Sequence, residues 1–158
     1  MFNKSITDYY KLFTVYLQVV IQSLVINIIL FFIGKKIGGF SEFIITPRGQ
    51  SLNLMGIITP TIIFPLFGVL FFVLLAKFSS QSLKYFKISS YVFLLFMFAG
   101  PLGLENATTL DKIILEIMHL VVGIQFIMYI SHLYDKIVIN PVQIIKPVEI
   151  KKPRVVNL

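Results

Sequence analysis

The sequence predicts an all-α fold, an integral membrane four-helix bundle, and three observations carry that prediction. Apolar residues make up 57% of the 158 and charged residues only 13%, about half the charged share of a soluble domain. The apolar residues fall into four long runs, separated by short segments bearing lysine, glycine and proline. There are 16 phenylalanines, more than a water-soluble chain of this length can hide, whereas acyl chains accept them without cost.

Taken in order, the first run extends from Leu12 to Ile33, about 33 Å of helix, enough for a hydrocarbon core of about 30 Å. It exceeds the ~7–15 apolar residues of a signal peptide and lacks a small-x-small cleavage site, so an uncleaved first span is expected. Gly38-Gly39, Pro47 and Gly49 then punctuate a mixed segment, in which Glu42 to Thr46 is a candidate extended piece. The second run, from Leu54 to Ala76, contains Pro60 and Pro65. Each proline removes a donor and crowds the carbonyl four residues back, which predicts a bend or a non-helical start. The third run begins near Ile88, and Gly100-Pro101 ends or bends it. Thr108 or Thr109 is placed to cap the fourth. The predicted membrane domain is therefore residues 1–136, with spans at about 12–33, 54–76, 88–104 and 110–134. Residues 137–158, with Pro141, Pro147 and Pro153 among Val/Ile-Lys steps, read as an extended or disordered basic tail. No internal repeat supports an inverted-repeat transporter.

Charge sets the expected orientation. Four spans put both termini on one side, together with Lys4, Lys11, Lys77, Lys84, Lys87, Lys136, Lys146, Lys151, Lys152 and Arg154. The opposite side holds Lys35, Lys36, Arg48 and Lys112. The positive-inside rule then predicts cytoplasmic termini in a cell (plasma) membrane protein, although the Lys35-Lys36 pair, abutting the first span, argues the other way. The net charge of +7 is matched to the bilayer's anionic lipid headgroups, met by the basic loops and tail, and not to nucleic acid. With no cysteine, disulfides, thiol catalysis and thiolate metal sites are excluded.

The candidate intramembrane polar site lies on the fourth run. Thr109, Lys112, Glu116, His119, Gly123 and Phe126 recur at three- and four-residue spacing and share one helix face. Ionisable groups within a span usually face the bundle interior or a wet cavity. Glu116 and His119 are therefore expected to form its polar centre, with Gln22 or Gln18 as partner. The alternatives are a polar pair that only fixes helix packing, or a surface pairing of Glu116 with Lys112. Glu116-x-x-His119 has di-iron spacing, but such sites need a second motif and further glutamates. The first three runs contain no Asp or Glu, so no metal is expected; His119 is the one deep histidine, and no cofactor is expected. On the first run, Gln18, Gln22, Ser23 and Asn27 read as interhelical glue, with Gln22 or Asn27 completing a pocket beside His119 as the alternative. Gln125 lies off the His119 face. Arg48-Gly49-Gln50-Ser51 reads as a solvated loop, with binding of an anionic headgroup or a partner loop as the alternative, and Phe71-Phe72 and Phe93 to Phe98 as lipid-facing or packing residues.

Ala99-Gly100-Pro101-Leu102-Gly103, Ala107-Thr108-Thr109 and Met118-His119-Leu120 carry a resemblance to an uncharacterised family of small four-span bacterial membrane proteins, a "domain of unknown function". It extends over about residues 12–134 and is specific mainly between 99 and 120. It implies the four-span topology, adds interest to His119 and the Thr108-Thr109 turn, and implies no activity.

The function read from the residues is a structural or interaction bundle, engaging a membrane partner or a second copy. The alternative is a small transporter, channel or lipophilic-ligand binder built around Glu116 and His119. Enzyme chemistry has no support: there is no Ser-His-Asp set, Cys-His pair, carboxylate cluster or phosphate loop.

Overall fold

The computed structural model describes residues 9–41, 44–46 and 49–139, with side chains to residue 135. Its helices are α1 (Tyr9–Lys36), α2 (Leu54–Phe78), α3 (Ser82–Met97), the short α4 (Ala99–Leu102) and α5 (Thr109–Ile139). Four segments are long and apolar enough to cross a membrane, α3 and α4 together forming the third. The protein is thus a multi-pass membrane four-helix bundle. Among the described residues, β pairing is limited to isolated bridges from Ile45 to Ser51 and to Glu105. They lie in the segment expected to be extended, whose Glu42 and Phe43 fall outside the described residues.

Around the bundle the order is α1, α2, α3, α5. Helices α1 and α3 occupy opposite corners without touching, and α2 and α5 meet across the short diagonal. One end carries the tight turn between α2 and α3, the other the 37–53 and 103–108 segments; these are the turn end and the loop end below. The core is divided accordingly. Toward the turn end Leu12, Val15, Val19, Phe72, Phe86 and Ile130 are buried together, and Phe86 meets Phe72 and Phe126 edge-on at 5.2 and 5.6 Å. Toward the loop end Phe31, Phe40, Ile44, Ile57 and Met118 form a second cluster. Large apolar side chains also cover the outside, such as Leu95 and Phe96, each more than 70% exposed, as helices facing lipid require.

Several boundaries differ from those read in the sequence. Helix α2 is helical from Leu54 onward, so the non-helical start expected from Pro60 and Pro65 is absent. Asn53 caps it, its Oδ1 accepting from the Gly56 N–H at 3.1 Å. The Thr61 hydroxyl donates to Ile57 O at 2.7 Å and the Tyr16 hydroxyl to Ile62 O at 3.4 Å. Each carbonyl lies one residue beyond one that a proline leaves without its ladder donor, and hydroxyls commonly support helices there. Helix α3 begins at Ser82, taking in Lys84 and Lys87, because long lysine stems reach the interface from inside a helix. Gly100-Pro101 falls in the separate turn of α4. Helix α5 runs on to Ile139, past the residue 136 boundary; the remaining tail lies outside the described residues.

The loop end is closed by Asp111, which is 1% exposed. Its Oδ2 accepts from the Thr108 N–H and hydroxyl, both at 2.7 Å, while Thr108 Oγ1 accepts from the Asp111 N–H at 3.2 Å. This is a capping box, with Thr108 as the cap. Asp111 Oδ1 accepts from the Phe40 N–H at 2.6 Å, fixing Phe40 at a φ of 51°, a region that bulky residues rarely enter. The Phe40 ring packs on Phe31 at 5.1 Å.

Candidate functional site

Beyond the Phe72–Phe86–Phe126 stack, α2, α3 and α5 enclose a cavity of about 360 Å³. Small side chains create it: Gly68 on α2, Ser89 and Ser90 on α3, and Gly123 on α5 all line it. The two glycines also set how closely the helices approach. A Cβ at Gly68 would collide with the Phe126 ring and one at Gly123 with Leu94. The rest of the wall is largely apolar, including Phe64, Phe71, Leu94 and Met118. Two lining residues, Phe67 and Phe93, are 62% and 55% exposed. Because they sit on the lipid-facing side of α2 and α3, the cavity opens sideways toward the bilayer. Its polar residues are Asn27, Thr61, Ser89, Ser90 and His119.

His119 is half-buried, with Nδ1 2.7 Å from Leu115 O. Glu116 is half-buried and does not line the cavity; its Oε2 is shielded and has no hydrogen-bond partner among the described residues. Lys112 is half-buried and Thr109 exposed. Gly123 does meet a neighbouring helix, namely α3 through Leu94.

The first-span amides are engaged elsewhere. Gln18 is exposed. Gln22 Oε1 accepts from the Tyr129 hydroxyl at 3.0 Å, and Ser23 donates to Gln125 Oε1 at 3.1 Å. Asn27, 2% exposed, donates through Nδ2 to Thr61 Oγ1 at 3.1 Å. The amide that shares the cavity with His119 is therefore Asn27 and not Gln18 or Gln22. Thr61, Ser89 and Ser90 were not singled out in the sequence for a pocket. Pattern shows which residues share a helix face, but not which faces meet, and isolated Thr and Ser carry little signal in an apolar run.

Chemically, the arrangement offers an apolar volume with a few hydrogen-bonding atoms in its wall. Among the described residues no three His, Cys, Asp or Glu side chains converge as a metal site would need. Fold and site together define a small polytopic membrane protein with a cavity facing lipid. The chain belongs to a family of unknown function (DUF6069), whose model matches residues 11–133 and so takes in all four spans. No curated protein and no solved structure matches it.

Proposed function

We propose that this protein binds a lipophilic molecule drawn from the bilayer. The observation that carries the reading is the cavity of about 360 Å³, which is apolar on most of its wall, reached past Phe67 and Phe93, and bordered by His119 and Asn27. Cavities of roughly 300–1,000 Å³ with sparse polar groups are the usual form of small-molecule sites. A long-chain alcohol bearing a photoreactive diazirine, added to the full chain in lipid nanodiscs, should label cavity peptides of α2, α3 and α5 saturably. Ser90→Phe places a ring in the cavity without removing any hydrogen bond described here, and should suppress that labelling. Labelling that is non-saturable, or equal in Ser90→Phe, would refute the reading.

A structural or interaction role is the second reading, and α3 favours it. Only 11% of the third span's apolar stretch is buried, against 33% for the first and fourth. That leaves a broad face for a membrane partner or a second copy, which crosslinking from Leu95→Cys in membranes would detect. For either reading we place the chain in the cell membrane with both termini cytoplasmic, supported by the bias of lysine and arginine toward that side. There the basic residues lie against anionic headgroups.

A further inference from the structure

We infer that the ligand of this cavity carries a hydroxyl head on its apolar body, and that His119 Nε2 is the acceptor that selects it. The inference rests on the cavity being a ligand site and adds the chemistry of the ligand.

Two proton assignments lead to it. The Thr61 hydroxyl has one proton, and its 2.7 Å contact with Ile57 O consumes it, since a carbonyl only accepts. Thr61 Oγ1 must then act as acceptor toward Asn27, so the 3.1 Å contact is made by the amide nitrogen. The orientation of the Asn27 amide is thereby settled by its neighbours. Its Oδ1 is left without a partner but has almost no surface of its own, so a ligand meets neither an Asn27 acceptor nor a Thr61 donor there. His119 obeys the same logic. Nδ1, 2.7 Å from the Leu115 carbonyl, must hold a proton to make that bond, and in the neutral ring Nε2 is then an acceptor.

His119 lines the cavity and the Thr61 proton is already spent, so the defined polar function that a ligand meets there is an acceptor. The Ser89 and Ser90 hydroxyls on the opposite wall rotate to donate or accept and do not discriminate. A carboxylate, phosphate, ketone or ether placed at His119 would set acceptor against acceptor, leaving buried polar atoms unpaired. A hydroxyl supplies the missing proton. Sites that hydrogen-bond a substrate hydroxyl reject analogues lacking it far more strongly than apolar pockets reject an extra methylene. The best fit is a long-chain alcohol or phenol that enters sideways from the bilayer.

The test is competition against the diazirine alcohol probe on the full chain in nanodiscs. The competitors share one chain length: the alcohol, its methyl ether and the corresponding carboxylate. The alcohol should compete about tenfold better than either, the equivalent of one hydrogen bond to a buried acceptor. His119→Phe should shrink that preference while leaving competition by the ether within about twofold. The wild-type series decides the matter even if a variant does not fold. Saturable labelling blocked by Ser90→Phe, with ether and alcohol competing equally, overturns the hydroxyl inference and leaves the cavity reading standing. Loss of saturable labelling itself overturns both.

Discussion

Replacing Asp111 with alanine should loosen the whole loop end of the bundle. Its carboxylate accepts three hydrogen bonds, from the Phe40 N–H and from the Thr108 N–H and hydroxyl. These losses are unequal. Thr108 is exposed, so water can replace the partner of its two donors, at the cost of a weakened helix cap, about 1 kcal/mol. Phe40 is 2% exposed, and its N–H would be stranded, which costs about 1–3 kcal/mol. The φ of 51° at Phe40 would lose its main restraint as well. A total of about 2–4 kcal/mol follows, on the order of a hundredfold in the unfolding constant. Asp111→Asn keeps one acceptor for Phe40 but turns an NH₂ toward Thr108, and should lose about half as much. Denaturation by SDS in mixed micelles, read by loss of helix signal, measures the change, and hydrogen exchange at the Phe40 amide localises it. An Asp111→Ala protein within about 0.5 kcal/mol of wild type, with that amide still protected, would show that the carboxylate does not hold the loop.

Thr61→Val removes the acceptor of the Asn27 amide and should destabilise the bundle by about 0.6–2 kcal/mol in the same denaturation assay; no change would mean the buried bond is not formed. Gly123→Leu should force Leu94 and α3 outward and destabilise the bundle by about 1–3 kcal/mol in that assay, whereas unchanged stability would remove the glycine from the contact. Because the chain has no cysteine, single cysteines report topology cleanly. Ser80→Cys should resist a membrane-impermeant thiol reagent in intact cells and Gln50→Cys should react, and the reverse pattern would invert the proposed orientation.

The four spans were legible because lipid imposes one requirement, a long apolar helix, that composition and run length reveal directly. A cap at Thr108 or Thr109 was legible for a similar reason, since cap geometry is local, and the structure selects Thr108. Asp111 was not, because a carboxylate two residues into a helix looks like a solvated first-turn acid. Only the fold shows that the segment around Phe40 lies over it. Gln22 and Gln18 were expected beside His119 on depth alone. Helix α1 instead turns Gln22 toward Tyr129 of α5 and Asn27 toward Thr61 of α2 and leaves Gln18 exposed, and that choice is made by packing between helices, for which one sequence holds no direct mark. Helix α3 starts at Ser82, earlier than the apolar run from Ile88, because lysines in its first turns mask the helix in a reading by hydropathy.

The side-chain hydrogen bonds between helices are unevenly shared, and this gives the bundle a mechanical grain. Helix α1 is stitched to α5 through Gln22–Tyr129 and Ser23–Gln125, and to α2 through Asn27–Thr61. Among the described residues no side-chain hydrogen bond ties α3 to another helix. Apolar contacts resist separation but slide with little resistance, while directional bonds resist both. Three helices therefore form a stiff frame, and α3 is the compliant leaf, hung from the short turn after α2. A change in bilayer thickness or lateral pressure would be taken up first by that leaf, which is also one wall of the cavity.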